Sequence, residues 1–428
     1  MHIFFSGIGG AAIGPLAQIA LHAGYDVSGS DKQASDYVDN LRSKGITSIH
    51  IGQTTEAIAE LHKKNPIDWI VYSSAIPKEN PDHPELVYAR DNNITATKRD
   101  DFLNKLLEDT GQKMIAVAGT HGKTTTTAMI LWLMHQLHIP TSYSVGGKLS
   151  FGDTGVFDSN ATYFVYEADE YDRNFLSFAP ILSVITGIAY DHPDIYPTSE
   201  AYNQAFIQFM CNTGDAGGEV FAYNEDLEYV DYTILQREMH LELLETITLP
   251  GYVNRRNALL AVNAVHAIHN TPRSELVTYI NQFPGVSRRF EKISENLYTD
   301  YAHTPEKISG ALQLTKEVAG DDVVVVYEGL HNTRQHFIKK ELTDLFKGVK
   351  KLYIVPSYLA REDESLEMLT PEKLCAITQE PPQREPMKLD NELKATIDSH
   401  TSNGDLVLCL TAGGGNSLDE WLRKEFKG

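Results

Sequence analysis

The sequence predicts an α/β protein of more than one domain, built on sheets of mostly parallel strands. Short apolar runs, such as residues 114–118, alternate along the chain with stretches of helical periodicity. Two of these runs lead directly into glycine-rich turns, at residues 7–10 and 119–122, as strand-to-helix connections in parallel sheets do. The 428 residues exceed a single hydrophobic core, so we expect two or three domains.

The composition argues against several classes of protein. Apolar residues make up 42% and charged residues 22% of the chain, as in soluble globular proteins. The formal net charge of −21 argues against a nucleic-acid partner, because lysine and arginine must neutralise phosphates. We expect no membrane insertion, since no signal peptide precedes the first strand and no apolar run has transmembrane length. The cysteines are far apart without metal-ligand spacing, which predicts reduced thiols in the cytoplasm: Cys211, Cys375 and Cys409.

The N-terminal hundred residues contain the first predicted ligand-binding turn. A buried strand at His2–Ser6 is followed by Gly7-Ile8-Gly9-Gly10 and by a helical pattern over residues 11–23. A second strand, residues 25–30, leads to Asp31, where dinucleotide-binding folds place an acid for a ribose. The glycine spacing is not the complete dinucleotide fingerprint, so an NAD-dependent dehydrogenase is one alternative among several.

A further strand, Trp69–Tyr72, ends at Ser73 and Ser74. Open parallel sheets bind ligands at the carboxyl ends of their strands, so these hydroxyl groups are candidate ligand contacts. The charged residues 98–113 predict a helix and a linker into the next domain.

The most specific motif is a phosphate-binding loop. The apolar strand at residues 114–118 runs into Gly119-Thr120-His121-Gly122-Lys123-Thr124 and then into a helix. Glycines let backbone N–H groups approach phosphate oxygens, and the helix N-terminus adds its dipole. Lys123 can reach the β- and γ-phosphates, and the Thr124 hydroxyl can bind Mg²⁺. Val117 stands where the general pattern has its first glycine, but the strand-loop-helix context predicts ATP binding.

Two later strands carry acids or a histidine at their ends. A strand over residues 163–166 leads into the acidic segment 167–172, which begins with Glu167, and a strand over residues 181–188 precedes His192. Clustered acids often mark a solvated loop, but beside a phosphate-binding loop they can supply oxygens for Mg²⁺. A lone histidine is most often structural; His192 is flanked by acids, and we predict it to be a metal ligand.

Residues 251–263 begin a helix with Asn254 and Asn257 on one face. The two amides could cap the helix or bind the edge of a purine ring, and both interpretations are open.

The C-terminal third predicts another α/β unit with a mostly parallel sheet. We expect surface loops with a short helix near Thr370 within residues 361–387, and a strand-end turn at residues 413–415. Strands are predicted at residues 297–299, 323–327, 352–355 and 406–410.

One helix of this unit has a well-defined start. Thr304 and Pro305 fit its N-cap and its first position. Its buried stripe is predicted to contain Ile308, Leu312 and Leu314.

Taken in order, these motifs closely resemble those of the Mur ligase family. The resemblance covers nearly the whole chain and is strongest over residues 114–305. It implies the three-domain Mur ligase architecture, with a Rossmann-like UDP-sugar-binding domain at residues 1–108, a central P-loop ATPase domain at residues 109–284 and a Rossmann-like amino-acid-binding domain at residues 285–428. The matching segments are GIGG from Gly7, SSAIP from Ser73, AGTHGKTTTT from Ala118, VGG from Val145, EADEYDRNF from Glu167, DHPDIY from Asp191, NRRN from Asn254, GVSRRFE from Gly285 and DYAHTPEKI from Asp300.

The resemblance also implies roles for the candidate residues. Lys123 would contact the β- and γ-phosphates, Thr124 and Glu167 would hold one Mg²⁺ ion, and His192 would hold a second. The rest of the ATP site would comprise Gly119, Thr120, Gly122, Thr125, Asn254, Asn257, Arg289 and Asp300. The UDP-sugar would contact Gly7, Gly9, Gly10, Asp31, Ser73, Ser74 and His121. The amino acid would contact His303, His331 and Arg334.

The implied activity is the ATP- and Mg²⁺-dependent joining of L-alanine to UDP-N-acetylmuramate through an acyl phosphate. Lys123 and Arg289 would offset the repulsion between the two anions that must meet. Family members that add later residues usually carry a carbamylated lysine shortly after the histidine motif. Residues 193–212 contain no lysine, which agrees with the L-alanine-adding branch.

Departures from the family pattern leave the amine substrate open. Residues 328–334, EGLHNTR, stand where the alanine-adding branch has a QPHRYTR-type segment, without a clear counterpart of its carboxylate-binding arginine. Asn332 and Thr333 resemble the branch that recycles a preformed tripeptide, which is the alternative enzyme. Thr304, where a second histidine is usual, resembles the tripeptide-forming branch, whereas the turn at residues 7–10 is typical of the other two. A non-catalytic nucleotide-binding protein is a further alternative, and the sequence indicates no oligomeric state.

Overall fold

The computed structural model describes residues 1–10, 12–192, 195–227, 239–359, 362–363, 365–411 and 417–426. The turn predicted at residues 413–415 lies outside these described residues. The chain divides into two compact units. The larger consists of Met1–Ile247 and Asn257–Phe283, and the smaller of Thr248–Arg256 and Pro284–Gly428.

The first sheet of the larger unit is parallel and, among the described residues, has the strand order β3-β2-β1-β4-β5. The order reverses between β1 and β4, and such a switch point opens a crevice at the carboxyl ends of the strands. The strands are β1 (His2–Ser6), β2 (Asp26–Asp31), β3 (Ile49–Ile51), β4 (Trp69–Tyr72) and β5 (Thr95–Lys98). The helices are α1 (Gly14–His22), α2 (Asp36–Ser43), α3 (Thr55–Lys64), α4 (Ala75–Glu79), α5 (Pro84–Asp91) and α6 (Arg99–Thr110).

The second sheet of this unit has the order β11-β10-β6-β9-β7-β8 in the part of the chain described, and only the β7–β8 pair is antiparallel there. Because β6 lies between β10 and β9, the loops that follow these three strands meet at one edge. The strands are β6 (Lys113–Ala118), β7 (Thr141–Ser144), β8 (Gly155–Val156), β9 (Tyr163–Glu167), β10 (Leu182–Ile185) and β11 (Glu219–Phe221). The helices are α7 (Lys123–Gln136), α8 (Ser199–Asp215), α9 (Tyr252–His269), whose first turn belongs to the smaller unit, and α10 (Arg273–Ile280).

The smaller unit contains a third sheet with the order β12-β13-β17-β14-β15-β16, in which the β12–β13 pair is antiparallel and the other described pairs are parallel. The strands are β12 (Glu291–Ser294), β13 (Leu297–Asp300), β14 (Val323–Leu330), β15 (Lys351–Tyr358), β16 (Arg384–Pro386) and β17 (Leu406–Leu410). The helices are α11 (Pro305–Ala319), α12 (Asn332–Phe337), α13 (Pro371–Ile377), α14 (Asn391–Ser402) and α15 (Leu418–Phe426).

The apolar run of β14 shows why the long strands could be predicted. Val323 and Val325 pack into the core on one face of the sheet, and Val324 and Val326 pack into the core on the other. A parallel strand covered on both faces needs apolar residues at every position, not at alternate ones. The predicted strands at Trp69–Tyr72 and Leu406–Leu410 are confirmed at both ends.

Helix α11 also begins as predicted. The Thr304 side chain accepts a hydrogen bond from the backbone N–H of Lys307, with Pro305 in the first turn. The predicted stripe is buried: Ile308, Leu312 and Leu314.

Several predictions of element bounds were wrong: β10 spans Leu182–Ile185 and not residues 181–188, and β14 continues to Leu330. Helix α1 begins at Gly14 and not at residue 11, because the N–H groups of Ile13 and Gly14 both bond to the Gly10 carbonyl in the turn before it. The segment predicted as loops and a short helix contains α13 near Thr370, but also the short edge strand β16, which its polar, proline-containing sequence concealed. Within the part of the chain that the structure covers, no helix combines the length and apolar character needed to cross a membrane.

Candidate active site

The phosphate-binding loop connects β6 to α7, and two of its glycines have backbone angles that other residues rarely adopt. The φ angle is 142° at Gly119 and 78° at Gly122. A Cβ atom on Gly119 would collide with Oγ1 of Thr186, and one on Gly122 would lie 2.8 Å from Oδ1 of Asn257. Neither position accommodates a larger residue, which explains both glycines of the motif.

Side chains outside the motif hold this loop in place. The Thr120 hydroxyl donates to the Ala189 carbonyl over 2.7 Å and lies 2.7 Å from the Tyr202 hydroxyl. The Thr186 hydroxyl donates to the carbonyl of His121. Sequence analysis missed Thr186 and Tyr202, because their contribution depends on the pairing of β10 with β6 and on the packing of α8.

Lys123 and the buried Glu170 form an ion pair at the loop. The Lys123 Nζ lies 2.6 Å from Oε2 of Glu170, whose side chain is only 2% exposed. Burial alone would raise the Glu170 pKa, but the charge of Lys123 and a hydrogen bond with His192 outweigh it and lower the pKa to about 2. Burial likewise disfavours the charged Lys123, but the Glu170 and Asp169 carboxylates outweigh it and raise the Lys123 pKa. Glu170 therefore holds the cation that phosphates would need.

Thr124 and Glu167 bring two oxygen ligands together at the start of α7. The Thr124 hydroxyl donates to Oε1 of Glu167 over 2.7 Å, and the backbone N–H of Gly146 donates to Oε2 over 2.7 Å. Mg²⁺ prefers hydroxyl and carboxylate oxygens, with substrate phosphates and water in its other positions. The two side chains therefore fit the predicted Mg²⁺ site. Among the described residues, no group of three or more His, Cys, Asp or Glu side chains could hold a metal ion.

His192 contacts the same acid as Lys123. Its Nε2 lies 3.5 Å from Oε1 of Glu170, and its ring centre lies 5.2 Å from that of Tyr171. Burial would lower the His192 pKa, but the hydrogen bond to Glu170 and the charge of Asp191 outweigh it and raise the pKa. The structure thus brings His192 and Lys123 together through Glu170, a residue that the sequence identified only as one acid in a cluster.

The two asparagines of α9 have different surroundings. Asn257 is buried, and its amide lies beside Gly122 of the phosphate-binding loop. The side-chain amide of Asn254 donates to the Pro250 carbonyl over 3.0 Å, which ties down the start of the helix. This bond is donated to a carbonyl and does not cap a free N–H of the helix, so adenine binding stays a prediction for both residues.

The glycine-rich turn after β1 is closed by Asp31. The N–H of Gly9 donates to Oδ2 of Asp31 over 2.8 Å, and the N–H of Gly10 donates to the Gly7 carbonyl over 3.0 Å. A Cβ on Gly9 would lie 2.8 Å from Asp31 Oδ2, so glycine is required there. Asp31 holds the turn itself, and its predicted ligand contact stays a prediction.

Ser73 and Ser74 follow β4 on the other side of the switch point. Ser73 is partly exposed, and its Cβ would face a Cβ placed on Gly7 at 3.6 Å. Ser74 is buried, and its hydroxyl accepts a hydrogen bond from Asn174 over 3.4 Å. The structure therefore brings Ser73 to the glycine-rich turn, as the sequence predicted for this edge.

In the smaller unit, Arg289 and Asp300 lie close together. Oδ2 of Asp300 accepts a hydrogen bond from the Phe290 N–H over 2.8 Å, and Arg289 donates to the Tyr301 carbonyl over 3.3 Å. Burial raises the Asp300 pKa to about 6, against the opposing charge of Arg289.

His303 lies in the same surroundings. It is buried, and its ring centre lies 4.7 Å from that of Tyr301. Burial lowers the His303 pKa well below its usual range, and the charges of Lys307, Arg334 and Arg289 lower it further. Cationic residues therefore lie near enough to His303 to affect its pKa, and they provide a suitable setting for an anionic group.

The segment after β14 is shaped by its own polar residues. His331 has a φ angle of 54°, and its Nδ1 lies 3.6 Å from Oε1 of Glu362. Asn332 is buried and holds a neighbouring loop, since its amide donates to the Glu367 carbonyl and accepts from the Leu369 N–H. Asn332 therefore has a structural role in this chain.

Comparison of the sequence with known proteins identifies a family and several similar proteins. Residues 2–110 match the family description "Mur ligase family, catalytic domain", and residues 117–242 match "Mur ligase middle domain". The UDP-N-acetylmuramate--L-alanine ligases of Clostridium acetobutylicum and Clostridium perfringens are each 30% identical, over 96% of this chain and 95% of their own.

Two solved structures share the fold. The UDP-N-acetylmuramate-alanine ligase of Thermotoga maritima superimposes with a TM-score of 0.76 at 23% identity, covering 100% of this chain and 98% of that one. A murein peptide ligase of Psychrobacter arcticus superimposes with a TM-score of 0.61 at 23% identity and the same coverage.

Proposed function

Because the chain belongs to the Mur ligase family, we propose that it joins L-alanine to UDP-N-acetylmuramate at the expense of ATP, as a step of peptidoglycan precursor synthesis. The chain is a ligase; its substrates are the proposal. The observation that supports them best is the similarity, over nearly the full length of both chains, to curated ligases of that name. The substrates are cytoplasmic metabolites, and the proposal places the enzyme there.

The chemistry needs a carboxylate to become an electrophile. An oxygen of the muramate carboxylate attacks the γ-phosphorus of ATP, the bond to the β-γ bridging oxygen breaks, and ADP leaves. The amine of L-alanine then attacks the acyl phosphate, loses a proton and displaces phosphate, which leaves the amide. Phosphate is a far better leaving group than the oxide of a carboxylate, so ATP makes the second step feasible.

The protein's part in this reaction is binding and charge neutralisation. Lys123 would exchange Glu170 for the β- and γ-phosphate oxygens, and Arg289 would stabilise charge on the transferring phosphoryl group. We retain Asn254 and Asn257 as adenine contacts and Asp300 as the ribose contact. The glycine-rich turn after β1, with Ser73 across the crevice, would hold the UDP-sugar.

Thr124 and Glu167 are the residues that would hold Mg²⁺. The ion, when bound with ATP, supplies positive charge that offsets the phosphate charge. A second ion at His192 is a weaker proposal, because Mg²⁺ prefers oxygen to imidazole ligands and the His192 ring already lies against Glu170.

The test is phosphate release by the purified protein with ATP, Mg²⁺ and UDP-N-acetylmuramate, with product masses recorded. L-alanine is compared with glycine, L-serine and the L-Ala-γ-D-Glu-diaminopimelate tripeptide. We expect the highest kcat/KM with L-alanine and a product heavier by one alanyl residue. Absence of turnover with every amine would refute the proposed substrates.

The recycling ligase remains the second candidate, because Asn332 and Thr333 match that branch in sequence. It would act on the same UDP-sugar but would need a roomier amine pocket. Turnover with the tripeptide alone would select it over the alanine-adding enzyme.

A further inference from the structure

Lys78 and Lys98, in the larger unit, share one carboxylate. The Lys78 Nζ lies 2.7 Å from Oδ1 of Asp172, and the Lys98 Nζ lies 2.8 Å from Oδ2. The two lysine side chains are 37% and 39% exposed, whereas that of Asp172 is 15% exposed. The cluster therefore has two accessible cations for one largely covered anion.

The position of the cluster is one at which parallel sheets bind ligands. Lys98 is the last residue of β5, and Lys78 lies on α4, which follows β4 almost directly. Both lysines are thus at the carboxyl edge of the first sheet, on the β4 side of the switch point between β1 and β4. The family motifs assign neither lysine a role.

The backbone that presents Asp172 has an uncommon conformation. Asp172 and Arg173 have φ angles of 56° and 57°, so two successive non-glycine residues are left-handed. Conformations of this kind persist only where the surroundings enforce them, and they concentrate at ligand-binding sites.

The segment that carries Asp172 also contacts the phosphate-binding site. The Tyr171 ring centre lies 4.6 Å from the Lys78 Nζ and 5.2 Å from the ring centre of His192. Glu170, the partner of Lys123, is the residue before it. A group bound by the two lysines would therefore lie between the crevice of the first sheet and the residues proposed to bind ATP.

We propose that Lys78 and Lys98 bind an anionic group of the UDP-sugar, and that Asp172 occupies their ammonium groups until the substrate replaces it. The inference rests on the proposed function, because it takes UDP-N-acetylmuramate as the ligand. That molecule offers two groups with the required chemistry, the diphosphate and the muramate carboxylate. Both present anionic oxygens to ammonium donors, as Asp172 does in the free protein.

The experiment measures the affinity of the full-length protein for UDP-N-acetylmuramate by calorimetry, without ATP. Lys78→Met and Lys98→Met keep the apolar stem and remove the charge, and we expect each to raise Kd about tenfold or more. Lys78→Arg should recover part of the loss. Lys105→Met is the matched control, since Lys105 pairs with Asp109 on the surface of α6, and its Kd should equal that of the wild type.

Asp172→Asn distinguishes a substrate site from a structural ion pair. If Asp172 is a competitor for the lysines, its neutralisation should leave Kd unchanged or lower it about twofold to threefold. If the cluster only holds the segment together, Asp172→Asn should weaken binding as much as the lysine variants do, and that result would overturn the proposal. Thermal unfolding of each variant verifies that the protein is folded.

A second ligand identifies the group that is bound. UDP-N-acetylglucosamine carries the diphosphate but lacks the muramate carboxylate. Equal losses for both ligands in the lysine variants would assign the site to the diphosphate, and a loss confined to UDP-N-acetylmuramate would assign it to the carboxylate. Lysine variants that bind both ligands as the wild type does would contradict the inference.

Failure of the proposed function gives a different result. A wild-type protein that binds UDP-N-acetylmuramate but turns over no amine would refute the proposed reaction and leave the lysine site standing. A wild-type protein that does not bind this UDP-sugar would refute both.

Discussion

At the scale of single residues, the pair of Lys123 and Glu170 links the stability of the protein to its proposed chemistry. The Glu170 side chain is 2% exposed and that of Lys123 is 15% exposed, and the charge of each stabilises the charged form of the other. Removing one partner of such a pair leaves an uncompensated charge, whereas removing both can be nearly neutral. In the proposed function ATP would compete with Glu170 for Lys123, and the pair would keep the ammonium group oriented until ATP binds.

We expect Lys123→Met to lower the free energy of unfolding by about 3 kcal/mol, because Glu170 would then be buried without its main cation. The double variant with Glu170→Gln should recover most of that loss, measured by urea denaturation. Phosphate release should fall at least about a hundredfold in both variants, since the phosphate contact is absent from each. Recovery of turnover in the double variant would show that Lys123 has no role beyond its ion pair.

Asp300 predicts a pH dependence of stability in the smaller unit. Its pKa is raised to about 6 in the folded protein, against about 4 for an unfolded chain. The folded state therefore favours the protonated form. The contribution of Asp300 to the free energy of unfolding is complete at a pH below its pKa in the unfolded chain. This contribution is lost as the pH rises through its pKa in the folded protein.

As the pH rises from 4.5 to 7, the wild type should lose free energy of unfolding that Asp300→Asn retains. We expect the difference between the two proteins to change by about 2 kcal/mol in favour of the variant. The measurement is urea denaturation in a background where Trp421 is the only tryptophan, with Trp69 and Trp132 replaced by phenylalanine, so that fluorescence reports the smaller unit. Asp398→Asn, at an exposed pair on α14, is the control and should run parallel to the wild type. Parallel curves for Asp300→Asn would mean that Asp300 is not protonated near pH 6.

For single residues, the sequence identified candidate site residues better than it identified the groups that they contact. Lys123, Thr124 and Glu167 lie together as the P-loop pattern indicated. Asp31, by contrast, binds the turn beside it, and Asn332 holds a loop more than thirty residues further along the chain. A short polar side chain can form a hydrogen bond with a ligand or with the protein backbone, and the surrounding fold determines which of the two it forms.

At the scale of elements, the phosphate-binding loop depends on the strand beside it. Gly119 is constrained by the Thr186 hydroxyl, which follows β10, and not by its own turn alone. The loop conformation therefore requires β6 and β10 to pair in register.

We expect Gly119→Ala to reduce Mg·ATP affinity at least about tenfold and to destabilise the protein by about 2 kcal/mol, because its Cβ would displace Thr186. Gly111→Ala is the matched control: Gly111 also has a positive φ, of 69°, but an added Cβ would meet nothing within 4 Å. The free energy of unfolding of Gly111→Ala should fall by about 1 kcal/mol because of backbone strain alone, and its affinity for Mg·ATP should equal that of the wild type. Calorimetry and urea denaturation measure the two effects, and equal affinities for the two variants would refute the steric explanation.

The apolar strands were predicted, and three very short edge strands were missed, for a physical reason. β14 and β17 are apolar at successive positions because both faces are covered, so they are distinct in sequence. β3, β8 and β16 have two or three residues each and lie at sheet edges, where neighbouring strands supply the pairing. Two or three residues are too few to show the hydrophobic periodicity from which a strand is predicted.

At the scale of the whole molecule, the proposed function requires an acidic protein to bind anions. The net charge is −21, whereas ATP and a UDP-sugar are both negatively charged. The overall field therefore opposes their approach, and binding must come from local cations and backbone N–H groups. Lys123 at the phosphate-binding loop and the lysine pair at Asp172 are cations of this kind in the larger unit.

The three sheets agree with the predicted fold class. Two belong to the larger unit and one to the smaller. The proposed domain limits at residues 1–108, 109–284 and 285–428 place one sheet in each domain, and they remain a prediction.

The sequence by itself determined the fold class, the phosphate-binding loop and the family resemblance. These depend on neighbouring residues, because a glycine turn, a helix cap or an apolar strand is specified by the side chains within a few positions of it. The tertiary structure decided which distant groups meet: Glu170 with Lys123 and His192, Thr186 with Gly119, and Asp172 with the two lysines. Those contacts join residues separated by 22 to 94 positions in the sequence. They follow from strand order and register, which burial of the whole chain sets and no local pattern encodes.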